Sequence, residues 1–195
     1  MESFRYLKSK PVPLDVVNVD TDQIIPKQFL KLLGKTGYGK FLFHNWRYDN
    51  YGNDKPDFVL NLPQFKGRSI LLTRENFGIG SSREHAVWAI KDFGFKALIG
   101  ISFADIFYNN CFKNGVLAIK LDKDIIDNIF LRINEDIEID LLNQIVKINS
   151  ETYKFDLDLT LKVGLLEGVD DISTTLRYED YIKKYEFDHK LLIFK

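Results

Sequence analysis

NFGIGSSREHA, residues 76–86, is the stretch on which the reading of this chain turns. It follows a short apolar run at residues 69–73 (SILLT), which reads as a buried strand that ends before Asn76. Gly78 and Gly80 permit backbone angles closed to other residues, so the loop can turn tightly and bring its amides close to a ligand. Ser81 and Glu84 have the spacing of a capping box, which predicts a helix from about Ser82. Ala86, Trp88, Ala89, Ile90 and Phe93 give that helix an apolar face, and Gly94 offers a left-handed stop. A second apolar run at residues 97–101 completes a strand, helix, strand unit.

The first-turn N–H groups of such a helix have no internal partner and sit at the positive end of its dipole, so they favour a carboxylate or phosphate. Arg83 adds a forked carboxylate donor at the same place. An isolated Ser-x-x-Glu is most simply a cap, but a cap needs one hydroxyl and no arginine, whereas this turn carries Ser81, Ser82 and Arg83 together. On the residues alone both roles of Ser81, cap and anion contact, stay open. His85, beside Glu84, reads as a hydrogen-bonded structural histidine in preference to a base.

Other site patterns fail on spacing. A hydrolase nucleophile elbow needs Gly-x-Ser-x-Gly, but Gly80 is followed by Ser81, Ser82 and Arg83. Gly34-Lys35-Thr36 resembles the end of a phosphate-binding loop, yet Phe29 stands where its first glycine is required. A dinucleotide fingerprint beginning at Gly78 would need glycine at Arg83. No His/Cys cluster has zinc spacing, so no metal ligand is assigned to this chain.

At 195 residues the chain can bury roughly 70% of its unfolded surface. The absence of a repeat or linker favours a single domain over residues 1–195. Its 27 basic and 28 acidic residues leave a formal net charge of −1, which gives no electrostatic case for nucleic acid or an anionic membrane. The N-terminal residues MESFRYLKSKPVP contain no apolar segment of signal or membrane-span length. The single cysteine, Cys111, excludes an internal disulfide and fits a reducing cytoplasm. An iron–sulfur cluster usually needs three or four thiolates, so chemistry requiring one implies a second chain that brings it.

The remaining pattern is mixed α/β. Residues 12–19 read as a strand, followed by the turn-rich NVDTDQIIP and by an aromatic-rich, partly packed loop over residues 27–56. Ser102 and Asp105 suggest a cap for a helix over residues 103–114 that stops at Gly115. A strand over residues 116–121 and a helix over residues 124–133 continue the alternation, which argues for a mainly parallel sheet. Residues 137–155 change to short alternating segments broken at Asn143-Gln144 and Asn149-Ser150, the pattern of antiparallel strands. Helices over residues 157–166 and 178–185, with Asp170 and Asp171 capping between them, complete the chain.

Read together, VPLDVVNVDTDQIIPKQFL (12–30), FLFHNWR (41–47), PDFVLN (56–61), NFGIGSSREHA (76–86) and SFADIFYNNCFKNG (102–115) closely resemble the small subunits of bacterial 3-isopropylmalate dehydratase. The resemblance runs nearly end to end. It implies an α/β fold, the three-layer β/β/α swivel domain of aconitase-like hydro-lyases, docking on a large subunit that carries a [4Fe–4S] cluster. The implied complex interconverts 2-isopropylmalate and 3-isopropylmalate through isopropylmaleate in leucine biosynthesis. By alignment with the family motif, Ser81 stands as the catalytic base, and Ser82 and Arg83 as groups that hold a substrate carboxylate. The resemblance further implies that the loop after DTDQIIP contributes to substrate choice. It has no arginine for a third carboxylate, and Leu30 and Leu32, with Phe29 and Leu33, are candidates for an isopropyl pocket or simply for core.

Overall fold

A computed structural model of the chain describes residues 1–31 and 34–189. The first strand, β1 (Tyr6–Ser9), is separated by Lys10 alone from β2 (Pro11–Pro13), and the two belong to different sheets. In chain order the further strands are β3 (Ile70–Leu72), β4 (Ala97–Gly100), β5 (Leu117–Lys120), β6 (Ile137–Asp140), β7 (Ile145–Ile148) and β8 (Glu151–Lys154). One sheet is parallel, in the order β2-β3-β4-β5, and the other is antiparallel, in the order β1-β6-β7-β8.

Each sheet's burial follows its strand type. β3 and β4 are buried at every position, as strands covered on both faces must be. β6 alternates, with Ile137 and Ile139 buried and paired with buried Ile148 and Val146 of β7, so only one face of that sheet enters the core. A single apolar cluster contains residues of both sheets and of the helices that cross between parallel strands. Where the chain passes from one sheet to the other, the Arg68 guanidinium donates to the carbonyls of Pro11 at 2.7 Å and Ile133 at 2.8 Å.

The short helices α1 (Thr21–Ile24) and α2 (His44–Arg47) lie in the long connection between β2 and β3. The crossover helices between parallel strands are α3 (Glu84–Phe93) and α4 (Asp105–Lys113), and α5 (Lys123–Phe130) leads from β5 to β6 of the other sheet. The C-terminal segment carries α6 (Leu159–Glu167), α7 (Asp171–Leu176) and α8 (Glu179–His189). The α/β alternation, the parallel sheet and the antiparallel strands over residues 137–155 therefore match the sequence pattern, and the layers are those of the β/β/α swivel fold. The hairpin turns contain left-handed residues, Gln144 at φ 53° and Asn149 at φ 51°, beside the breaks read from sequence. Asp170 caps α7 by accepting from the Ser173 N–H at 2.8 Å.

Several local expectations are corrected. The strand expected over residues 12–19 ends at Pro13, because the chain turns at Asn18, φ 55°, and its amides reach carbonyls of the neighbouring segment singly, Leu14 to Leu72 and Asn18 to Glu75. Ser102 does not cap α4. Its hydroxyl accepts from the Asn76 N–H at 2.9 Å, and the N-cap position falls to Ala104. The 27–56 segment contains ordered turns at Lys27–Phe29 and Gly39–Phe41 besides α2. A Cβ on Gly39 would lie 2.7 Å from backbone atoms of Asp92 and Phe93, so only glycine allows this segment to press on α3.

Candidate active site

Three loops converge beyond the C-terminal ends of β2, β3 and β4. Gly78 donates its N–H to the Val19 carbonyl at 2.7 Å, Thr21 donates to the Ile79 carbonyl at 2.9 Å, and Phe77 donates to the Ser102 carbonyl at 3.1 Å. Asn76 and Asn18, both left-handed, are linked by a side-chain hydrogen bond of 2.9 Å. Loops at the carboxyl ends of parallel strands are where open α/β sheets bind ligands, because the chain reverses there and its amides are free to converge. Gly78 is tightly constrained. Its φ is +80°, and a Cβ would lie 2.2 Å from Cγ of Phe107.

The capping box expected at Ser81 is absent. α3 begins at Glu84, its N-cap is Arg83, and no side chain caps it. Glu84 turns instead toward α4, accepting from Nδ2 of buried Asn114 at 2.8 Å, and Asn114 Oδ1 accepts from Trp88 Nε1 at 2.9 Å. Ser81 and Ser82 are exposed, and among the described residues their hydroxyls make no hydrogen bond within the chain. The Ser81 backbone is nonetheless held, its carbonyl accepting from Thr21 Oγ1 at 3.1 Å and from the Arg83 N–H at 2.8 Å.

Arg83 lies beside the serines, with its side chain 13% exposed and one guanidinium N–H donated to Asp22. That bond holds the Asp22 carboxyl below the usual carboxylate range, with Lys27 at 4.0 Å adding to the effect. A guanidinium has five N–H donors, so a single bond to Asp22 fixes its orientation and leaves donors for a second carboxylate. His85 is partly buried against Tyr38 and Trp88, at ring distances of 5.4 Å and 4.5 Å, and burial pushes its pKa down. Packing against these two rings disfavours its charged form.

The loop expected to bear on substrate choice is described up to residue 31 and again from residue 34. Leu30 is half-buried and packs against the core, while Phe29 stacks on Phe41 at 4.0 Å. Leu32 lies outside the described residues. Among the described residues no three His, Cys, Asp or Glu side chains form a metal-binding group, and no helix is long and apolar enough to cross a membrane. Cys111 is fully buried, with burial raising its pKa well above the ordinary thiol value, so the donor set of this chain does not fit an iron–sulfur cluster. The sequence reading passed over Thr21 and Asp22. The only signal was their place in NVDTDQIIP, a stretch read as a turn because periodicity says nothing about which distant loop a turn will meet.

Residues 1–124 match the Aconitase C-terminal domain, and the chain belongs to that family. Within it, the 3-isopropylmalate dehydratase small subunit of Bacillus cereus (strain ZK / E33L) is 50% identical over 187 residues, covering 95% of this chain and 97% of that protein. The 3-isopropylmalate dehydratase small subunit of Ruthia magnifica subsp. Calyptogena magnifica is 50% identical over 198 residues, with 97% of each chain covered. The crystal structure of 3-isopropylmalate dehydratase from Methanocaldococcus jannaschii superposes with a TM-score of 0.66 at 29% identity, covering 93% of this chain and 99% of that one. The chain is a member of the 3-isopropylmalate dehydratase small-subunit family.

Proposed function

We propose that this chain, docked on a cytoplasmic large subunit that carries a [4Fe–4S] cluster, interconverts 2-isopropylmalate and 3-isopropylmalate in leucine biosynthesis as one half of a hydro-lyase. One 195-residue domain supplies the half described here. The observation that carries the reading is the free Ser81 hydroxyl on a turn whose backbone is tied down, one residue from Ser82 and two from Arg83. A residue that only capped a helix would spend its hydroxyl on the first-turn amides, and Ser81 does not.

In the forward direction Ser81 takes the proton from the carbon beside a carboxylate as the hydroxyl departs, giving isopropylmaleate, and rehydration reverses the step at the neighbouring carbon. A serine hydroxyl is a very weak base, so its anionic form requires a local positive field. Arg83 and the unsatisfied N–H groups at the start of the ten-residue α3 supply that field. Ser82 and the remaining Arg83 donors hold the carboxylate, and Leu30 and Leu32 are the residues we assign to the isopropyl group. The departing oxygen is assigned to the partner's side of the interface, where the cluster would supply a Lewis acid.

The test is turnover of isopropylmalate by the chain mixed with a cluster-bearing large subunit. Ser81→Ala is expected to lower the rate by roughly a hundredfold or more, with subunit binding retained. Near-normal turnover by a folded, docked Ser81→Ala chain would remove the base assignment. Faster turnover of citrate or a methylmalate-type acid than of isopropylmalate would reassign the substrate.

A further inference from the structure

Thr21 is 2% exposed and is the first residue of α1. Its N–H donates to the Ile79 carbonyl at 2.9 Å, and its hydroxyl donates to the Ser81 carbonyl at 3.1 Å. One side chain and its own amide therefore grip the chain on both sides of Gly80, which stands at φ +95° with its Cβ direction 3.6 Å from Thr21 Oγ1. The grip is itself anchored. Asp20 and Gln23 close a capping box on α1, at 2.7 and 2.8 Å, and Ile24 and Ile25 are fully buried beneath it.

The Ser81 carbonyl is thus aimed inward by a donor from another element. In a trans peptide the N–H points opposite to the C=O across a rigid plane, so tying the Ser81 oxygen toward Thr21 turns the Ser82 N–H away from α1, to the exposed side of the turn. The Ser81 side chain leaves from the other end of the same fixed carbonyl. Neither effect requires Thr21 to touch substrate.

We propose that Thr21 is a positioning residue of the dehydratase, which holds the Ser81–Ser82 peptide plane so that the base and its stabilising amide face the reacting carbon together. The proposal rests on the reading of Ser81 as the base. It acts on geometry in the reacting complex more than on substrate binding, so it predicts a loss in kcat at nearly constant KM. Misplacement of a catalytic group by about 1 Å can slow a reaction on the order of a hundredfold.

The experiment uses the reconstituted two-subunit enzyme with the large subunit saturating. Thr21→Val keeps the shape and removes the hydroxyl, and Thr21→Ser keeps the hydroxyl and removes the methyl group. The expected result is kcat lowered about ten- to a hundredfold for Thr21→Val, KM within about twofold, and kcat restored to near the native value by Thr21→Ser. Thr21→Ala supplies a second hydroxyl-free side chain, which reads the same loss should valine not be accommodated. Native kcat in the hydroxyl-free variants, beside an inactive Ser81→Ala enzyme, overturns the positioning role and leaves the base assignment standing. Equal losses in Thr21→Ser and Thr21→Val also overturn it, since the methyl packing would then be what matters. An active Ser81→Ala enzyme removes the reading on which both depend.

Discussion

Arg83 is bonded to Asp22 within the chain, and the proposed chemistry gives it a second carboxylate on the substrate. Arg83→Lys keeps the charge and the helix propensity but loses the planar fork. Catalytic efficiency of the reconstituted enzyme is expected to fall about ten- to a hundredfold, equivalent to a charge-assisted hydrogen bond of roughly 1.5–3 kcal/mol, with the melting temperature of the small chain nearly unchanged. Unchanged efficiency in steady-state kinetics would mean that Arg83 serves Asp22 alone. The Asp22 carboxyl is held low by Arg83, so the pair's contribution is present above the unfolded carboxylate pKa of about 4 and is lost as pH falls through the lower folded value. Asp22→Asn should therefore lower the melting temperature modestly in the neutral region and flatten the acid limb, the two profiles converging as pH falls below about 4. Gly78→Ala is a different kind of change. A methyl group 2.2 Å from Phe107 Cγ on a backbone at φ +80° should destabilise by roughly 2–5 kcal/mol, to be read by urea unfolding. An effect near zero would mean that the loop and α4 separate readily.

Among the helices, α3 and α4 are pinned to one another by one amide. Asn114 accepts from Trp88 Nε1, donates to Glu84 and donates to the Asn110 carbonyl at 2.8 Å, all at 7% exposure. Asn114→Ala leaves the Trp88 N–H and the Glu84 carboxylate without that partner, a loss of about 1–3 kcal/mol. Because α3 carries Arg83 at its N-cap, the same variant should loosen the turn as well, lowering kcat of the reconstituted enzyme beyond what its fraction folded explains. A stability loss with native kcat per folded molecule would confine Asn114 to the scaffold. The helix itself was legible from periodicity and from Gly94, which stands at φ +117° as its left-handed stop. Its first residue was not, because Ser-x-x-Glu spacing describes a possible cap. Asn114, thirty residues away, offers Glu84 a buried partner that local sequence cannot reveal.

Over the whole molecule, the solitary thiol is sealed in the core. Cys111 is fully buried with its pKa raised, so both access and thiolate fraction are low at neutral pH. A thiol reagent is expected to label the folded chain at neutral pH only as fast as it opens, and to label it at once in denaturant. Rapid labelling of the native chain would place Cys111 at an accessible surface. By the same chemistry the purified chain alone should retain no stoichiometric iron and sulfide and should not turn over isopropylmalate. Iron, sulfide and activity retained together would contradict the assignment of the cluster to the large subunit.

The alternation of strands and helices over residues 69–133, the change from parallel to antiparallel sheet, and the candidate turn at residues 76–86 were determined by local patterns, whereas β1, which pairs with distant β6, was not. Continuous apolar runs, 3.6-residue periodicity and glycine punctuation act over a few residues, so sequence alone carries them. The tertiary structure decided which polar groups are spent and which remain. Ser81 could have been a cap or a free hydroxyl, and the answer depends on where α3 begins, which Glu84 settles by bonding across to Asn114. Thr21 and Asp22 could have been an ordinary polar turn. They meet Ser81 and Arg83 because the loops after β2 and β3 leave adjacent parallel strands side by side, a neighbourhood set by strand pairing between residues roughly sixty positions apart.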